Sequence, residues 1–529
     1  MKNKLLILGA VLAFSFGGCT SNFDDVNSND TALSDKDLEQ DFNNVKAPLR
    51  AMQRAMYILV EDDWRGQIQF NLNADIFSGY MATPTAFEGN NNNSTYVLLD
   101  GWNSAEWENA YRREMVNALK VERLVKEKGP KYYAWALILK VYAMHKVTDY
   151  HGPIVYSAFG SEAATVPYDS QKAVYDQFFT ELKTAVDILT PFATADVKST
   201  FFVDAKDGTD GTTAKGVVVN WIKFANSLRL RLAMRISNID PAKAKAEAEG
   251  AVKGFGTINS NAENVFYLAD HPVKTYSDEW KDIKAGAALT SMMNGYDDPR
   301  RGRYFTKTAT GTYQGIRMGS LVNDDYKTAK EKQFSRIGDI VLSSGQIPWF
   351  TAAEASFLKA EGAIKGWDMG GGTAQSFYED GISLSFAQNG AGIATSYINN
   401  DVLLPENFVD PLNAANNIVA QNLVTVKWSD AASNEVKLQK IITQKWIAGF
   451  PDGQEGWAET RRTGYPKLFL PTNNFSSGKI PDGTFVRRLN FPVQEKNSNP
   501  AGYAQGVQEL GGADNGGTRL WWDTGVNKF

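Results

Sequence analysis

Residues able to do covalent or metal chemistry are few in this chain. It holds three histidines, His145, His151 and His271, and one cysteine, Cys19. So sparse a set supplies neither a closed zinc shell nor a thiol–imidazole couple, so no metal or cofactor is expected. Carboxylates are plentiful, 60 Asp and Glu in all, so some acid–base pair can always be drawn and drawing one carries little information. The best placed are Glu106 and Glu108 beside Trp107, a glycosidase-like pair. Residues two apart on a helix face different ways, however, and hydrolysis is the weaker reading. Phe201–Gly216 carries Asp204, Asp207 and Asp210 three apart, whereas a calcium-binding EF-hand spaces its ligands by two and adds a glutamate at position twelve. An Asp/Gly turn describes that stretch better.

The aromatic residues say more. With 13 Trp, 21 Tyr and 29 Phe, the chain can fill a core and still spare rings for a binding face. Sugars present apolar C–H faces beside hydroxyls, so a site for them sets flat rings next to amides and charged groups. Trp102 and Asn103, with Tyr80 and Trp107 nearby, offer this in or beside a long Gly/Asn-rich loop, Thr83–Trp107. Tyr276 and Trp280 offer it in a second loop, His271–Asp282. The competing role for each is an anchor that folds its loop onto the scaffold. The two roles weigh evenly for Trp102 and Trp280, and anchoring weighs more for Tyr80, Asn103, Trp107 and Tyr276.

At the N-terminus, Lys2 and Lys4 precede an apolar run from Leu5 to Phe16, and Gly17 and Gly18 abut Cys19. A basic start, about a dozen apolar residues and small residues before a cut describe a secretory signal. Cleavage before Cys19 resembles a bacterial lipobox, with Phe16 where leucine is usual; an ordinary signal with an incidental cysteine is the alternative. The expected organisation is a signal peptide over 1–18, a lipidated flexible tether over 19–37 and one domain over 38–529. The tether is polar and too poor in large apolar side chains to fold alone. Asp24 and Asp25 resemble the acidic signal that sends lipoproteins to the outer face of the outer membrane. The formal net charge of −5 counts the two signal lysines, so the processed chain is more acidic still and nucleic acid is not expected as a partner.

The elements that must position the aromatic residues are helices. Trp221, Phe224, Ala225, Leu228 and Leu232 recur at helix-face spacing, as do Trp135, Ile138, Leu139 and Tyr142. Thr351 followed by Glu354 reads as a capping box, and Asp240-Pro241 as a cap and first-turn proline. Further helices are predicted over 38–60, 104–128, 171–189, 374–387 and 435–448. The break at Glu127–Pro130 suits a helix hairpin. No fixed-period repeat emerges.

Six segments in order, Lys223–Ile236, Asp297–Phe305, Ala352–Gly366, Gly456–Leu468, Arg487–Tyr503 and Gly511–Asp523, resemble the signature segments of the SusD/RagB family. The resemblance covers essentially the whole processed chain. It implies a mainly α fold of irregular tetratricopeptide-like helix pairs with long loop-rich insertions. It also implies a non-enzymatic, lipid-anchored outer-membrane protein that captures oligosaccharides, or in some members peptides, and passes them to a SusC-type TonB-dependent transporter. Trp521, Trp522, Arg461, Arg462 and Pro492 lie inside the dense signature motifs, where packing and ion pairing are the expected roles.

Overall fold

The computed structural model describes residues 43–59, 63–127, 129–193 and 217–529. The signal, Cys19, the tether and Phe201–Gly216 lie outside these residues. The chain divides into two units, Met1–Ala47 and Pro48–Phe529.

In chain order the helices that build the scaffold include α1 (Asn43–Ala55), α2 (Val116–Val125), α3 (Pro130–His151), α4 (Gln171–Ala193), α5 (Val217–Arg235) and α6 (Pro241–Ala251). Then come α7 (Ala352–Ile364), α8 (Ala374–Gln388), α9 (Asn434–Ala448), α10 (Gly453–Thr463) and α11 (Pro500–Leu510). Successive helices pack as neighbours: α2 on α3, α3 on α4, α4 on α5, α5 on α6, and α7 on α8. The architecture is mainly helical and tetratricopeptide-like. Pro130 occupies the first turn of α3, where its missing N–H is no loss. The helix ends at Gly152, whose φ of +92° suits glycine. Between those ends nearly every residue of α3 is buried, as expected of a helix covered on all sides. Strands are short: β1 (Met81–Ala82) pairs with β3 (Lys284–Ala285), and β2 (Val265–Tyr267) with β4 (Ile347–Phe350), both antiparallel. Among the described residues no helix is long and apolar enough to cross a membrane.

Two start signals take the form of caps. The Asp240 carboxylate accepts the Lys243 N–H at 3.2 Å, and the Thr351 hydroxyl accepts the Glu354 N–H at 3.3 Å. The second half of the expected capping box at Thr351 does not form. Glu354 turns to Arg231 instead, making two bonds of 2.7 Å, because a buried guanidinium holds a carboxylate more strongly than a backbone amide does.

That pair belongs to a buried ionic core. Arg235 meets Asp149 at 3.2 Å, Glu455 at 2.5 Å and Glu459 at 2.8 Å; Arg462 joins Glu459 to Glu361; Lys445 holds Glu455 at 2.8 Å. Burial pushes Glu459 up, but Arg462, Lys445 and Arg235 outweigh it and hold its carboxyl at about 2. The signature residues Arg461 and Trp522 are buried beside this core, with Arg461 stacked 3.6 Å from the centre of the Trp457 ring.

Candidate ligand-binding surface

Of the 13 tryptophans, eight are buried, while Trp102, Trp280, Trp367 and Trp521 are half-buried and Trp64 is exposed. A sugar can stack only on a ring with an open face, so the search narrows to these five. Trp64, Trp102 and Trp280 sit on elements that are tied to one another.

The tie begins in the long loop after β1. Its asparagines replace the hydrogen bonds that regular structure would supply. Asn90 exchanges two bonds with the Val322 backbone, at 3.0 and 3.1 Å. Asn92 donates to the Phe87 carbonyl at 2.8 Å and accepts the Ser94 N–H at 2.9 Å, an Asx cap. Asn93 donates to the Leu72 carbonyl at 3.1 Å and accepts the Leu99 N–H at 3.0 Å. Left-handed conformations at Glu88, Gly89 and Asn90 turn the chain, and the loop is thereby a built element. It carries Phe87, whose ring meets Trp102 edge-on at 5.7 Å and 88°, and Thr85, whose hydroxyl donates to Asp282 at 2.5 Å. Burial raises the Asp282 carboxyl, opposed by its bond with Thr85 and by the charge of Lys330.

Two residues before Asp282, Trp280 follows the π-helical turn Thr275–Glu279 and packs on Tyr276 at 5.2 Å. Tyr276 in turn lies against Gly66, where an added Cβ would fall 2.2 Å from the tyrosine oxygen and 2.6 Å from the Ile58 carbonyl. Gly66 is two residues beyond Trp64, which is 61% exposed, and leads into a second π-helical stretch, Gln67–Asp75. Such stretches widen a helix and are frequent at functional sites. The connection runs from Trp64 through Gly66 and Tyr276 to Trp280, then through Asp282, Thr85 and Phe87 to Trp102. No direct ring contact joins Trp102 to Trp280.

The other sequence candidates lie inside. Tyr80 is fully buried, donates its hydroxyl to the Trp446 carbonyl and packs on that ring at 4.9 Å. Trp107 is enclosed by Tyr111, His151, Tyr168 and Phe491. Asn103 is buried and accepts a bond from Asn93 at 3.3 Å. Tyr276 is buried as the backing of Trp280. These four offer no open face to a ligand; they are interior because each ring or amide fills a gap between helix and loop. The carboxylates diverge: Glu108 pairs with Arg65 at 2.7 Å, whereas Glu106 points inward and accepts from Gln69. Burial lifts Glu106 to about 7, against the Gln69 bond and Lys146. Sequence reasoning missed Trp64 and Phe87. The signal for Trp64 is a tryptophan set among charges in "EDDWRG", a poor place for a core residue.

The chain matches the SusD-like family, Susd and RagB outer membrane lipoprotein, over residues 25–523. It is similar to the solved structure of a chitin-binding SusD homolog from Flavobacterium johnsoniae, with 46% identity and a TM-score of 0.86 over 92% of this chain and 100% of that one. A SusD homolog from Bacteroides vulgatus is 36% identical, TM-score 0.85, over 93% of this chain and 100% of its own. A SusD-like protein from Bacteroides thetaiotaomicron is 34% identical, TM-score 0.83, over 90% of this chain and 98% of its own. No curated protein matches. With nearly its whole length matched and the helical scaffold shared, the chain belongs to the SusD-like family of outer membrane lipoproteins.

Proposed function

We propose that this protein captures oligosaccharides at the cell exterior and delivers them to a SusC-type TonB-dependent transporter, held at the outer membrane by acyl chains on Cys19. In this reading residues 38–529 act as one nutrient-binding domain after a signal peptide and tether. The observation that carries the capture step is the set of indoles left exposed or half-buried at Trp64, Trp102 and Trp280, on elements tied through Tyr276 and Asp282. The 46% identity to a homolog described as chitin-binding favours β-linked N-acetylglucosamine oligomers as the ligand class. The divergence of Glu106 and Glu108 supports binding without hydrolysis.

Calorimetry with chitohexaose tests this. An aromatic contact contributes on the order of 1 kcal/mol beyond its buried area, so alanine at Trp64, Trp102 or Trp280 weakens binding about tenfold. Trp64→Ala leaves the melting temperature unchanged, because its ring is largely in solvent. Unaltered affinity in all three variants refutes the site.

A further inference from the structure

Away from the tryptophans, a cleft of about 410 Å³ opens between the β2–β4 sheet, the segment 340–346, the end of α8 and Phe450–Pro451. None of Trp64, Trp102 and Trp280 lines it. Its chemistry differs from that of the two inner cavities beyond Pro348, which are lined by Glu354 and Lys445 in one and by Asp75 and Lys146 in the other. No carboxylate, ammonium or guanidinium is among the described residues that line the cleft.

In their place stand five carboxamides, Asn261, Asn264, Gln346, Gln388 and Asn389. Several are held in position with hydrogen-bonding capacity to spare. Asn264 accepts the Ala352 N–H at 2.7 Å and donates to the Gln388 oxygen at 3.2 Å, which leaves the Gln388 amide hydrogens unused. Asn389 donates to the Ser385 carbonyl at 2.8 Å and to the Tyr304 oxygen at 3.4 Å, which leaves its own oxygen open. His271 closes the inner end. Its Nδ1 accepts the Val273 N–H at 3.3 Å, so the proton sits on Nε2, and burial pulls the imidazole down to about 4. Apolar walls complete the cleft, with Tyr304 and Phe450 packed at 4.8 Å and Phe266 half-buried.

A charged ligand entering here would lose its hydration and gain no counter-ion. A purely apolar one would strand the unpaired amides away from water. What fits is an uncharged molecule with both hydroxyl or amide edges and C–H faces. The volume lies at the lower end of the roughly 300–1,000 Å³ typical of small-molecule sites, enough for one or two sugar rings and too little for a long chain.

We infer that this cleft is a second saccharide site, separate from the tryptophan surface, that takes one or two neutral sugar rings. The test titrates the full processed protein with chitobiose and cellobiose. Gln346 is exposed at the rim and its side chain makes no intramolecular bond, so Gln346→Trp lays an indole across the opening. Disaccharide binding then weakens at least tenfold while melting is unchanged; should that variant melt early, Gln388→Ala supplies the same reading by removing one donor. A Trp102→Ala/Trp280→Ala double variant keeps disaccharide binding. No disaccharide affinity tighter than about 1 mM, or affinity indifferent to both cleft variants, overturns the inference. Loss of disaccharide binding only in the tryptophan double variant also overturns it and leaves the proposed function standing. Chitohexaose binding that ignores the tryptophans sinks that function and not the cleft.

Discussion

Replacing Gly66 with alanine perturbs the tryptophan surface without touching a tryptophan. The new Cβ would lie 2.2 Å from the Tyr276 oxygen and 2.6 Å from the Ile58 carbonyl. Against an ordinary contact near 3.4 Å, these are short by about 1.2 and 0.8 Å, an overpacking worth roughly 1–3 kcal/mol. The Ile58 carbonyl is backbone and yields little, so the tyrosine must move, and with it the Trp280 ring that rests on it at 5.2 Å. Gly66→Ala therefore lowers stability by that amount and weakens chitohexaose binding by about tenfold. The Tyr276→Phe change removes the clashing oxygen, and the next ring atom stands at 3.5 Å, an ordinary contact. A double-mutant cycle in urea unfolding should give a coupling of roughly 0.5–3 kcal/mol between the two changes, and calorimetry should show affinity partly restored in the pair. If Gly66→Ala unfolds and binds as the wild type does, the route from Gly66 to Trp280 has no mechanical content. Additive effects refute the Tyr276 step in particular.

Three further outcomes can be measured. Glu106→Gln removes a buried carboxyl whose folded pKa of about 7 exceeds its ordinary 4.5. A raised carboxyl contributes stability below the ordinary value and loses it as pH climbs through 7, so the variant gains up to about 3 kcal/mol at pH 8 and almost nothing at pH 4; equal gains at both pH values would falsify this. Arg235→Leu leaves Asp149, Glu455 and Glu459 short of a counter-charge in the core and should destabilise by about 3–5 kcal/mol; a change below 1 kcal/mol in denaturant unfolding contradicts the ionic core's role. Cys19→Ala should abolish fatty-acid labelling and release the protein from the membrane fraction, and unchanged labelling would refute the anchor.

Local pattern made the helices legible. The α5 face of Trp221, Phe224, Leu228 and Leu232 is buried as its spacing requires, and Asp240-Pro241 starts α6. Periodicity reports which side of a helix meets the core, and caps depend on neighbours within one turn. The aromatic candidates were legible only as a class. Composition says rings are in excess of simple filling, but whether Tyr80 or Trp64 faces water depends on partners hundreds of residues away. Trp446 covers Tyr80, whereas Trp64 is left 61% exposed.

The sequence by itself determined the helical class, the family and the scarcity of histidine and cysteine, because each rests on residue types and short-range spacing. The tertiary structure decided that Arg235 and Glu455 share a buried core, that the asparagine run is a built loop, and that Trp64, Trp102 and Trp280 stay at least partly exposed. It also decided that five amides from distant segments meet in a cleft free of charge. Those facts follow from long-range packing: the Asn264 and Gln388 side chains, 124 positions apart, touch only once β2 and α8 are brought together.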